Sequence, residues 1–154
     1  MSIDRIDAII DKCGKRVVLI GQDMDNDFRK VLKVDGTRCI DLRNELSVSE
    51  FVAIISECPI TISNDSSPIH IAGAFDGWIG VIATCKHPDY ILPFRNGSIY
   101  YKAKNLERKP MYYDYDWKPT FIDGFRADLC EDVRLRECLP TPQDIINFVN
   151  ECLA

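Results

Sequence analysis

Ile3, Ile6, Ile9, Ile10 and Cys13 recur at helical spacing, with Asp4, Arg5, Asp7, Asp11 and Lys12 on the other face and Gly14 as a stop. The pattern predicts an amphipathic helix. Val17-Val18-Leu19-Ile20, closed by Gly21, is a short unbroken apolar run, the pattern of a strand covered on both faces in a parallel sheet. Cys39-Ile40-Asp41-Leu42 is a weaker second strand. Ser47 and Glu50 form a capping-box pattern that opens a helix, in which Val48, Phe51, Val52 and Ile55 make one apolar stripe before Pro59 ends it. Ile60-Thr61-Ile62-Ser63 then reads as a strand, Pro68 to Phe75 as a helix with Pro in its first turn, and Ile79-Gly80-Val81-Ile82-Ala83 as another strand.

Strands alternate with helices over short connections, which predicts an α/β fold: a Rossmann-like open parallel sheet with helices on both faces. Such sheets take their ligands at the carboxyl ends of the strands. From about residue 88 to 139 the pattern loosens, with Pro93, Pro110 and Pro119 set among Tyr100, Tyr101, Tyr112, Tyr113, Tyr115 and Trp117, and loops with a hairpin are expected. Order returns at about 142–153, where Thr141 caps a last helix with Pro142 at its first position and Ile145, Ile146, Phe148, Val149, Cys152 and Leu153 along one side. No repeat, low-complexity tract or boundary divides the chain, so a single domain over residues 1–154 is expected.

Composition narrows the function. Apolar residues make up 46% of the chain and charged residues 28%, as in a globular protein and not a disordered one. No segment approaches the ~18 unbroken apolar residues of a membrane span, and Met1-Ser2-Ile3-Asp4 does not open a signal peptide, so a cytoplasmic protein is expected. The 7 cysteines are odd in number and include no CxxC pair, and His70 and His87 are the only imidazoles. Reduced thiols fit that spacing better than a disulfide framework or a zinc site. A net charge of -5 argues against a nucleic-acid backbone as the main partner. The basic, aromatic stretch from Arg95 to Lys118 is the local exception, either a surface for a partner or acceptor or simply aromatics filling one face of the sheet.

The candidate chemistry lies in Asn64-Asp65-Ser66-Ser67-Pro68, between a strand and a helix start. Unpaired amides and the positive dipole end of a first helical turn suit a diphosphate, and Ser66 and Ser67 add hydroxyl donors. Asp65 suits sugar hydroxyls or a brace of the turn better than a phosphate. The plainer alternative is that these residues only cap a helix. His70 in the first turn reaches either a ligand or the preceding loop. Lys86, beside His87 just past the Ile79–Ala83 strand, either screens the diphosphate or is solvated surface. No Walker loop, GxGxxG or GxSxG elbow is present, which disfavours NTP hydrolysis, nicotinamide binding and a serine hydrolase.

From Ile40 to Pro88 the sequence resembles the carboxy-terminal domain of glycosyltransferase family 9, the lipopolysaccharide heptosyltransferases. Members carry S-N-D-S/T-G-P-M-H-L-A-A-A-L, and this chain reads Ser63-Asn64-Asp65-Ser66-Ser67-Pro68-Ile69-His70-Ile71-Ala72-Gly73-Ala74-Phe75. Asp41-Leu42 and the Ser47-to-Ile55 helix resemble the family's D-L-x-x-x-x-S-L-x-E-L segment, and His87-Pro88 stands where members show a T-D-P turn. The resemblance implies the donor-binding half of a two-domain, GT-B, inverting transferase, taking an ADP-sugar in preference to a UDP-sugar and needing no metal or other cofactor. By that analogy Ser66, Ser67 and the Ile69 amide hold the diphosphate, Asp65 contacts the sugar, and Asp25 stands near the place of a ribose-contacting acid, with an exposed helix-start carboxylate as its alternative. Ser67 departs from the family's glycine, and the family's donor-binding Lys and acceptor domain are not expected among these residues. The catalytic base is therefore unassigned, and this chain alone is not expected to catalyse transfer. An acceptor-binding protein or domain, or a second copy, would complete it. Two readings keep the fold without transfer: a non-catalytic nucleotide or sugar-phosphate binding module, and an interaction protein that lost the pocket.

Overall fold

The computed structural model describes residues 3–22, 37–82, 88–108 and 139–154. Along the chain run α1 (Ile3–Lys12), β1 (Val17–Leu19), β2 (Cys39–Asp41), α2 (Val48–Glu57), β3 (Ile60–Asn64), α3 (Ser67–Ala72), β4 (Trp78–Ile82), a 3-10 turn (Pro88–Tyr90), β5 (Phe94–Arg95), β6 (Ser98–Ile99), β7 (Ala103–Asn105) and α4 (Pro142–Leu153). The chain divides into two compact units, Met1–Cys58 with Thr141–Ala154, and Pro59–Pro140.

In the first unit β1 and β2 pair in parallel, Val17 opposite Cys39 and Leu19 opposite Asp41. The ladder runs on past both strands, because Leu42 N–H donates to the Leu19 carbonyl and Asn44 N–H to that of Gly21, each at 2.9 Å. Gly21 sits at φ 119°, which only glycine adopts without strain. Gly14, at φ 63°, is the left-handed residue that ends α1 as expected. α1 packs on α4, with Ile10 and Cys13 buried on one side and Ile145, Ile146 and Phe148 on the other. Burying each of these larger aliphatic or aromatic side chains stabilises the pair by about 1.5–3 kcal/mol.

Two expectations for this unit need correction. β1 is half-buried along its whole length and not enclosed on both faces. In α2 the apolar stripe holds at Phe51, Val52 and Ile55, but Val48, in the first turn, is 81% exposed. First-turn residues point back over the chain entering the helix, so helical spacing alone did not place Val48 on the core face.

The second unit is built on a parallel sheet of order β3-β4-β7. Here the enclosed strand is β4, whose Ile79, Val81 and Ile82 are buried with Gly80 between them. Asn64 stands opposite Ile82, and Val81 opposite Asn105. The expected hairpin is β5-β6, turned by Asn96 at φ 50° and Gly97 at φ 79°, the signature of a tight two-residue turn. Parallel strand β7 was not expected, because Ala-Lys-Asn lacks the β-branched and aromatic residues that mark strands. No helix among the described residues is long and apolar enough to cross a membrane.

Candidate functional site

β3 ends at Asn64, and the chain turns through Asp65 and Ser66 into the six-residue α3, which packs on β3 and β4. Pro68 lies in the helix's first turn, where its missing N–H costs nothing. Ile69, 0% exposed, and the buried Ala72 anchor the helix, while Ser67 and His70 face solvent.

Ser66 precedes the helix in extended conformation, φ -159° and ψ 174°, yet its side chain makes no cap bond. Its hydroxyl instead pairs with the Ser63 hydroxyl at 2.9 Å and donates to the Asn64 carbonyl at 3.2 Å. The helix-cap alternative therefore does not describe Ser66. The Ile69 N–H donates to the Ser66 carbonyl at 3.1 Å, so this amide already has a partner within the turn. His70 Nε2 lies 3.7 Å from Asp65 Oδ1, an ion pair when the imidazole is protonated, with the two side chains 58% and 27% exposed. The structure thus gathers Asp65, Ser66, Ser67, Ile69 and His70 at the carboxyl end of β3. Asp25 and Lys86 lie outside the described residues.

The far end of α3 is clamped. Arg95 Nε donates to the Gly73 carbonyl at 2.6 Å, a second guanidinium nitrogen donates to the Phe75 carbonyl, and Nη1 meets Asp76 Oδ1 at 3.3 Å. The same guanidinium lies 3.8 Å from the centroid of the buried Tyr100 ring. Lys102 Nζ adds a bond to the Asp76 carbonyl at 2.8 Å. These cations satisfy carbonyls at and just past the helix's carboxyl end, where positive charge is favoured. Gly73 is required by a close neighbour: a Cβ there would come 2.8 Å from Pro93 Cβ. Ala74 is exposed. Within the described part of the basic stretch, residues 95–108, Arg95, Tyr100 and Lys102 build the fold, whereas Tyr101 remains exposed.

Sequence reasoning missed Glu107. Leu106 N–H donates to the Val81 carbonyl at 2.7 Å, which carries the ladder one residue past β7 and brings Glu107 level with Asp65 at the carboxyl edge. Both Glu107 carboxyl oxygens are sequestered from solvent and have no hydrogen-bond partner among the described residues. Desolvation lifts this carboxyl to about 7, with the neighbouring Asn105 amide pulling the other way. A cavity of about 400 Å³ lies elsewhere, by Lys12, Gly14, Lys15, Arg16 and Arg38 at the amino ends of β1 and β2. It is on the edge where parallel α/β sheets do not place their chemistry.

The comparisons with known proteins agree on one family. The model of glycosyltransferase family 9 (heptosyltransferase) matches residues 5–82. Among solved structures, ADP-heptose LPS heptosyltransferase II of E. coli aligns with 99% of this chain at TM-score 0.64 and 20% identity. A family 9 glycosyltransferase of Veillonella parvula aligns with 99% at TM-score 0.65 and 15% identity. The chain spans 41% of the length of each. At these identities the likeness establishes the α/β, parallel-sheet fold of these GT-B enzymes. No curated protein sequence matches significantly.

Proposed function

The chain belongs to glycosyltransferase family 9, and from that premise we propose that it binds the nucleotide-sugar donor, an ADP-sugar, of a glycosyl transfer that inverts the sugar carbon. One observation carries the reading: the Asp65–His70 loop sits at the carboxyl end of a parallel strand with a serine hydroxyl, Ser66, turned away from helix capping. Small polar side chains there let a diphosphate approach the backbone, and rigid elements hold the loop from below.

In this reading Ser66 and Ser67 donate to the diphosphate, and the Ile69 N–H shares its hydrogen between Ser66 and a phosphate oxygen. Asp65 accepts from sugar hydroxyls, and His70 hydrogen-bonds the ligand from the rim. Lys86 screens the diphosphate charge and Asp25 contacts the ribose. No metal or other cofactor is called for. The base and the acceptor come from another domain or protein, or a second copy, since a donor loop alone cannot assemble all three components. A cytoplasmic location is part of the proposal, supported by the unbridged thiols of Cys13, Cys39 and Cys58.

Calorimetry with ADP, UDP, ADP-glucose and UDP-glucose tests it. Heat of binding is expected, larger for the adenine nucleotides. Asp65→Ala and Ser66→Ala should each weaken binding by about tenfold. Silence from all four nucleotides at millimolar concentration would sink the donor reading.

A further inference from the structure

A carboxyl whose two sequestered oxygens find no hydrogen-bond partner among the described residues costs stability that a neighbouring amide, here that of Asn105, offsets only in part. Glu107 is such a group, and its position is not arbitrary. Register places it level with Asp65, two strands away across β3-β4-β7. At about 4.8 Å between neighbouring strands the separation is ~10 Å, the reach of one sugar unit beyond a bound phosphate. We propose that Glu107 is a further ligand-contacting residue of this edge, and that its two oxygens take hydroxyl groups of a sugar-bearing ligand held by the Asp65–His70 loop. The inference rests on the donor reading above, and goes beyond it by naming the group that recognises hydroxyls on the far side of the sheet edge.

The chemistry suits a carboxyl better than a cation or an amide. Vicinal hydroxyls present two donors side by side, and a carboxylate presents two acceptors at matching separation. Hydroxyls are neutral, so they satisfy both oxygens without adding a second charge to a dry site. The ligand offers such hydroxyl pairs in two places, on the ribose and on the transferred sugar. ADP carries only the first, and ADP-glucose carries both.

Calorimetry on the full chain with ADP and ADP-glucose, for wild type, Glu107→Gln and Asp65→Asn, decides the matter. Glu107→Gln keeps the shape of the side chain but offers one acceptor in place of two, and is expected to weaken binding about tenfold. Loss for both ligands assigns the contact to the ribose, and loss for ADP-glucose alone assigns it to the sugar. The carboxyl carbon signal of Glu107 in labelled wild type should shift on adding the same ligand, a readout that does not depend on the variant's folding. Equal affinity in wild type and Glu107→Gln, with an unmoved carboxyl signal and a loss in Asp65→Asn, overturns this inference and leaves the donor reading intact. No binding by wild type removes the donor reading, and the inference falls with it.

Discussion

Helices α2 and α3 both begin after a serine, and the two serines do opposite things. Ser47 accepts from Glu50 N–H at 3.4 Å while Glu50 Oε2 accepts from Ser47 N–H at 2.9 Å and from its hydroxyl at 2.6 Å, a closed capping box. Ser66 leaves its helix uncapped and turns to Ser63 and Asn64. α2 is thus secured at its start, with its hydroxyl fully occupied. α3 is secured by the buried Ile69 and, past its end, by Arg95. A helix whose start lacks a side-chain cap takes its stability from elsewhere, and in the proposed donor reading that leaves its start open to a ligand.

The largest test of that division is Ile69→Ala. Emptying a wholly buried aliphatic site is expected to cost about 2–5 kcal/mol in chemical denaturation, the most of these changes. A loss below 1 kcal/mol would mean α3 is held by its start after all. Next comes Gly73→Ala, whose methyl would meet Pro93 at 2.8 Å. Displacing Pro93 is expected to cost about 1–3 kcal/mol, read from the same denaturation curves. An unchanged midpoint would show that the clamp yields freely.

The direct contrast is smaller. Ser47→Ala should lose about 1 kcal/mol with its capping box, and Ser66→Ala no more than about 0.5 kcal/mol, while only the second weakens nucleotide binding. Equal stability losses would return Ser66 to a structural role. The smallest effect is one of pH. The bonds from Ser47 hold the exposed Glu50 carboxyl below its ordinary value of 4.5. A depressed folded-state pKa contributes stability that is present above 4.5 and lost as the pH falls through the folded value. A Ser47→Ala variant, which keeps the backbone N–H donor to Glu50 but loses the hydroxyl, should show a smaller acid-side decline, and identical acid titrations would contradict it.

Much of this was legible because local chemistry and final structure agree. Ser47 with Glu50, Thr141 with Pro142 and Asp144, and the Ile79-to-Ile82 run carry their element in their own letters. Even the contrast of the two serines is written there, since three residues after Ser66 stands Ile69, whose side chain cannot return a cap bond as Glu50 does. The family motif made the Asp65-to-His70 loop readable as a candidate site. What stayed hidden depends on distant partners. Arg95 binds carbonyls 20 and 22 residues earlier in the chain, which no local pattern announces. Glu107 looks like any surface acid until the fold removes its solvent. β7 is held by its neighbour and not by its composition, because Ala103 to Asn105 borrow their strand from β4.

The Arg95 clamp also says how this region opens. One side chain, carried on the first strand of the hairpin, holds the peptide groups just after α3, so neither segment can detach without the other. Amide protons of α3 and of β5-β6 should then exchange with solvent as one group, at a single opening free energy. A ligand seated at the loop would slow exchange in the distant hairpin without touching it, through nothing more than the shared opening.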